Sequence, residues 1–226
     1  LMSDGWSREE LLASVEAYLE MQRKHRAGEK FIKKRYYEDL ASRFGRTDKS
    51  FEYRMQNISY VMSLLGRTWL PGLKPAKNVG ANVASEIEEL IGLAEGRSVA
   101  SIAGFEIEVR DQLKQPRLAE PSGRSKPTST AVSITQFHRD ASVKAWVLRE
   151  ANGNCECCSR PAPFTTTDGT PFLEVHHVRQ LADQGSDTIT NAVALCPNCH
   201  RELHYGQNGL VLVEHLYRDI SRLVRE

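Results

Sequence analysis

Four residues within a nine-residue stretch carry two kinds of metal chemistry: Cys196 and Cys199, spaced C-x-x-C, and His200 and His204, spaced one helical turn apart. Paired thiolates suit a closed, tetrahedral structural zinc site. Imidazoles stacked on one helix face suit an open divalent-metal site, able to work on a phosphate ester.

A second C-x-x-C knuckle, Cys155 and Cys158, lies 37 intervening residues upstream of Cys196. Two knuckles at such a distance can converge on one ion, each supplying two corners of a tetrahedron. Cys157 makes a third thiol for two places, and the spacing selects Cys155 and Cys158 and leaves it spare. Five cysteines in this pattern do not form a secreted disulfide framework. Bound zinc would contribute folding energy directly to a region short of apolar residues.

The histidines are delivered by a different element. Phe172-Leu173-Glu174-Val175 reads as a strand that presents His176 and His177 on opposite faces. Asn191 follows fourteen residues after His177, and the apolar run Ala192-Val193-Ala194-Leu195 then leads into the second knuckle and its helix. The expected local fold is a β-hairpin followed by a helix, pinned at its base by zinc. A lone histidine pair is more often structural than catalytic. Four histidines in this order, with a zinc knuckle beside them, favour chemistry.

These residues resemble the HNH, or ββα-metal, nucleases. The stretches that carry the resemblance are Glu174-Val175-His176-His177, Asn191 and Cys196-Pro197-Asn198-Cys199-His200. From about Phe137 onward the chain is similar more specifically to McrA-type modification-dependent restriction endonucleases, with Val143-Lys144-Ala145-Trp146 and Val193 through Tyr205 in support. The resemblance implies that His177 is the general base and that Asn191 holds its imidazole. It also implies that His176, His200 and His204 bind one divalent cation. Many members have an acidic residue where His176 stands. A carboxylate there favours magnesium, whereas three imidazoles are softer donors that accept manganese, cobalt or nickel readily, so the ion is left open. Arg201 reads equally as a phosphate contact or as a surface residue.

The elements that must position this chemistry occupy only part of the 226 residues, and the net charge of +1 conceals an uneven distribution. Residues 21–80 hold 14 Lys/Arg against 5 Asp/Glu, residues 81–120 hold 4 against 8, and residues 121–226 hold 11 of each. A basic N-terminal region is consistent with nucleic-acid binding, and equally with a well-solvated helical surface. Ser7-Arg8-Glu9-Glu10 is a capping box, and apolar residues at helical spacing follow it. Further helices are predicted from Lys33 to Phe44, from about Lys49 to Leu65, from Ala81 to Ala94, and in an apolar pattern that reaches Leu113. Ser142 to Glu150 reads as another. Residues 69–80 form a turn-rich loop with two prolines and two glycines. Residues 115–135 turn to Pro, Gly, Ser and Thr and read as a linker. The expected architecture is therefore α+β: an all-helical DNA-recognition domain (1–114), a linker (115–135) and a zinc-stapled ββα-metal nuclease domain (136–226).

The N-terminal region more weakly resembles a helical domain found in front of HNH modules, through residues 52–59 and 74–80. Arg54, Gln56 and Asn57 have side chains that read base edges, Lys74 and Lys77 could hold phosphates, Asn78 is a further DNA-binding candidate in the same loop, and Tyr53 and Trp69 could pack on a modified base. Either aromatic taken singly is more readily a core residue. The functional expectation is a DNA endonuclease with structural Zn2+ and one active-site cation (Mg2+, Mn2+, Co2+ or Ni2+). By family resemblance it would act on double-stranded DNA bearing a modified cytosine such as 5-methylcytosine. The alternatives are an HNH nickase or endonuclease of repair or mobile-element origin, and a DNA-binding module without activity. A homodimer is a further expectation, because cutting both strands takes two sites. No signal peptide and no membrane-spanning apolar run is found, so the expected location is the cytoplasm.

Overall fold

The computed structural model describes residues 5–96, 102–127, 129 and 137–226. Parts of the expected linker (128 and 130–135) and Gln136 lie outside the described residues. The chain divides into two compact units, Leu1–Thr135 and Gln136–Glu226.

The first unit is helical. Helix α1 (Arg8–Arg26) starts at the predicted capping box, in which the Ser7 hydroxyl accepts from the Glu10 N–H and the Glu10 carboxylate accepts from the Ser7 N–H. Helices α2 (Lys33–Phe44), α3 (Asp48–Leu64) and α4 (Ala81–Ala94) follow. Leu11, Val15 and Tyr18 of α1 and Phe51, Met55, Ile58 and Met62 of α3 are fully buried in one core. The Tyr18 hydroxyl is satisfied at the centre, within 2.9 Å of Ser59 Oγ and accepting from the Leu70 N–H at 2.8 Å. Helix α5 (Ile102–Leu113) packs on α4. Its first N–H groups are capped by the buried Glu88 carboxylate, which accepts from Ile102 at 3.1 Å and Ala103 at 2.7 Å.

The second unit is built on helix α6 (Ala141–Glu150), strands β1 (Glu174–His177) and β2 (Ala192–Leu195), and helices α7 (Pro197–Tyr205) and α8 (Gly209–Asp219). The strands pair antiparallel, with Glu174 opposite Leu195, His176 opposite Val193 and His177 opposite Ala192. Strand β1 starts two residues later than expected. Phe172 is drawn away into a small hairpin, where its ring stacks on Phe164 at 4.6 Å and its N–H donates to the Phe164 carbonyl. The histidine pair is therefore part of the strand. Every residue of β2 is buried, and its side chains form a core with Val147, Leu173, Leu216 and Leu223. Helix α8 had no counterpart in the sequence reading; it contributes Leu216 to this core.

Candidate active site and metal centres

The knuckle at Cys155 is shaped by the backbone. Ser159 adopts a left-handed conformation (φ 58°), which lets its N–H return to the Cys155 carbonyl at 2.8 Å. The second knuckle enters α7 with Cys196 as N-cap and Pro197 in the first turn, where a missing N–H costs nothing. The turns bring the sulfurs of Cys155, Cys158, Cys196 and Cys199 within 4.8 Å of one another. Four thiols gathered so closely fit an all-cysteine zinc site, and Cys157 stays outside the group as expected. Burial raises the Cys155 and Cys199 thiols. Burial also opposes ionisation of Cys158, but hydrogen bonds from the Arg160 backbone and side chain and from Cys155 and Cys199 outweigh it, bringing that thiol down to about 6.

The imidazoles of His176, His200 and His204 form a triangle in which each pair of ring centroids is 5.0 Å apart. Their ligand nitrogens lie within 4.8 Å of one another, and His200 Nε2 is 3.2 Å from His204 Nε2. Nitrogens about 2.1 Å from a shared ion are separated by roughly 3.0–3.4 Å, so the triangle suits a single divalent cation. Burial, and then the neighbouring His204, His200, His177 and Arg139, push His176 down to about 2, which keeps it in the neutral form a ligand requires.

Two partners behind this triangle were missed in the sequence. Glu174 Oε2 lies 2.7 Å from His200 Nδ1, which fixes the ring and leaves Nε2 to face a metal. The side chain of Gln180 lies 3.3 Å from His204 Nδ1. Glu174 could have been found from its place in β1, two residues before His176 and on the same side of the strand.

His177 is buried at 5% exposure, and its Nε2 lies 2.7 Å from Asp187 Oδ1. The other Asp187 oxygen accepts from the Asp140 N–H at 2.5 Å. These hydrogen bonds hold the Asp187 carboxyl below its ordinary range against the opposing effect of burial. The expected role of Asn191 is corrected here. Its Oδ1 accepts from the Arg179 N–H at 2.8 Å, and its Nδ2 donates to the Arg179 and Ser186 carbonyls at 2.9 and 2.8 Å. With its amide committed to the backbone, Asn191 staples the loop between the strands rather than gripping the imidazole. Gly185 completes that staple: a Cβ there would sit 2.0 Å from the Arg179 carbonyl oxygen.

Two adjoining clefts of about 220 and 270 Å³ meet at His177 and His200. Arg139 lines both and Lys144 lines the second, and both cations are exposed. Arg201 is exposed on α7, with its guanidinium 6.0 Å from the Tyr205 ring centroid.

In the N-terminal unit the candidates divide. Arg54 is only 5% exposed and its guanidinium lies 4.4 Å from the Trp6 ring centroid. Asn57 is 4% exposed and donates to the Ala76 carbonyl and to Asn78 Oδ1. Both are thus structural, which corrects their expected role as base readers. Trp69 is half-buried against the core, as a core aromatic would be. Tyr53, Lys74, Lys77 and Asn78 are exposed, and Gln56 is half-buried beneath the loop, its carbonyl accepting from the Ala76 N–H. Among the described residues no helix is long and apolar enough to cross a membrane.

Residues 155–206 match the family model "HNH endonuclease". The chain is 38% identical over 189 residues to the Type IV methyl-directed restriction enzyme EcoKMcrA of Escherichia coli (strain K12), covering 79% of this chain and 67% of that one. Among solved structures it is similar to the Type IV phosphorothioation-dependent restriction endonuclease ScoMcrA, with 29% identity and a TM-score of 0.35 over 68% of this chain. The chain spans only 29% of the ScoMcrA chain. With its four gathered thiols, its imidazole triangle and this kinship, the chain belongs to the HNH endonuclease family in its McrA-type form, a family of DNA-cleaving hydrolases.

Proposed function

We propose that the chain is a modification-dependent restriction endonuclease that hydrolyses DNA phosphodiester bonds with a single divalent cation. The observation that carries the chemistry is the triangle of His176, His200 and His204 beside the buried His177–Asp187 couple. His177 takes a proton from the attacking water, a task for which imidazole is the side chain best suited near neutral pH. A divalent ion bound by the triangle supplies positive charge at the scissile phosphate and the leaving 3′ oxygen. Arg139 and Lys144 give the clefts cations for the flanking phosphates. The Cys155, Cys158, Cys196 and Cys199 tetrad holds a structural Zn2+ that anchors β2 and α7.

Dependence on a modified base is supported by the "methyl-directed" name of the E. coli relative. The N-terminal unit supplies a surface for recognition: exposed Tyr53 on α3, and Lys74, Lys77 and Asn78 on the adjoining loop. Phosphate contacts alone position a protein without choosing a sequence, so selection of the target belongs to this unit. A homodimer would bring two sites to one duplex, and action on intracellular DNA places the protein in the cytoplasm.

The test is cleavage of 5-methylcytosine, 5-hydroxymethylcytosine and unmodified plasmids of one sequence, in parallel with His177→Ala. The expected result is cutting of a modified plasmid by the wild type and none by the variant. Equal cutting of all three plasmids removes the modification dependence, and normal cutting by His177→Ala removes the assigned base.

A further inference from the structure

We propose that Asp187 is the positioning residue of this site: it accepts the Nε2 proton of His177 and so leaves the lone pair on Nδ1 to receive the proton of the attacking water. The proposal rests on the reading of His177 as the base.

A neutral imidazole carries its proton on either nitrogen, and only the other one can act as a base. An ionised carboxylate only accepts hydrogen bonds. With Asp187 Oδ1 at 2.7 Å, Nε2 must be the protonated nitrogen. The ring is nearly buried, so bulk water does not compete for that position.

The carboxylate is itself built in. Its second oxygen is held by the Asp140 N–H at the N-cap of α6, which prevents it from swinging away. Its loop is clamped at both ends, by Asn191 on the Arg179 and Ser186 backbone and by the close approach of Gly185 to Arg179. Once Nδ1 has taken its proton, the adjacent negative charge stabilises the imidazolium, as the third member of a hydrolase triad does. Asn191 therefore serves the base at one remove, by shaping the segment that presents Asp187.

The experiment uses the full chain labelled with 15N-histidine, with the His177 signals assigned by their loss in His177→Ala. Long-range 1H–15N spectra of the wild type are expected to show a protonated Nε2 and a pyridine-like Nδ1; a protonated Nδ1 overturns the proposal without any Asp187 variant. Asp187→Asn and Asp187→Ala are expected to lower kcat by roughly 10²–10⁴-fold with KM for DNA unchanged and the protein still folded at the assay temperature, and Asp187→Glu to recover part of the loss. If either of the first two cuts within about threefold of wild type while His177→Ala is dead, Asp187 has no such role although the base stands. If His177→Ala itself cuts normally, the underlying reading fails as well.

Discussion

Glu156 and Arg222, which lie 66 residues apart, grip each other through two parallel hydrogen bonds of 2.6 and 2.7 Å. Glu156 sits inside the first cysteine knuckle, and its Oε2 also accepts from the Ala194 N–H of β2. Arg222 reaches the Ala192 carbonyl. One ion pair thus ties the knuckle, the central strand and the C-terminal segment together.

Both side chains are mostly removed from water, at 16% and 12% exposure. Removing one partner leaves the other charge stranded beside β2. Arg222→Ala or Glu156→Ala is expected to destabilise the second unit by roughly 3 kcal/mol, read by chemical denaturation. A loss below about 0.5 kcal/mol would show that water replaces the pair at no cost.

The cysteines separate into two classes. Serine at Cys155, Cys158, Cys196 or Cys199 is expected to abolish stoichiometric zinc in the purified protein and to remove the cooperative unfolding of the second unit. Cys157→Ser is expected to keep its zinc and to change stability by about 1 kcal/mol or less. Metal analysis and circular dichroism decide it; zinc loss in the Cys157 variant would reassign the ligands.

Acid should weaken the first unit through Glu10. Hydrogen bonds from Arg46 hold this carboxyl below its ordinary range, against burial, with help from Ser7. Because the folded-state value lies below the unfolded one, the stabilisation is complete above about pH 4.5 and disappears as pH falls through the depressed value. Wild type is expected to exceed Glu10→Gln in stability at pH 7, and the gap is expected to close toward pH 3. A gap of constant size across that range refutes the assignment.

What could be read from the sequence were the features whose partners lie within a few residues. The α1 capping box spans four positions, and each C-x-x-C knuckle declares itself by spacing. Strand β2 is an unbroken apolar run, and its bounds were found without adjustment. Asp187 was not legible, because a carboxylate that serves a histidine from a loop stands at no fixed distance from it in the chain, whereas Glu174 shares a strand face with His176 and follows from the alternation of side chains. Arg54 was misread for the same reason: its partner Trp6 lies 48 residues earlier, and only folding brings the ring beneath the guanidinium. Asn191 was seen as important but assigned the wrong neighbour, since its hydrogen bonds run to backbone atoms that carry no sequence signature.

The pairing of His177 with Ala192 and His176 with Val193 has a consequence for how the nuclease can fail. Side chains alternate along a strand, so a slip of one residue would send the metal-facing imidazole to the Asp187 side and the other into the triangle. Two strands of four residues each are too short to hold their own alignment. The cysteine tetrad, gripping the chain one residue past the end of β2, sets that alignment from outside. In a molecule that has lost its zinc, such a slip would carry His176 off the triangle's face of the strand and bring His177 onto it, so the tetrad guards the order of the two imidazoles as well as the fold.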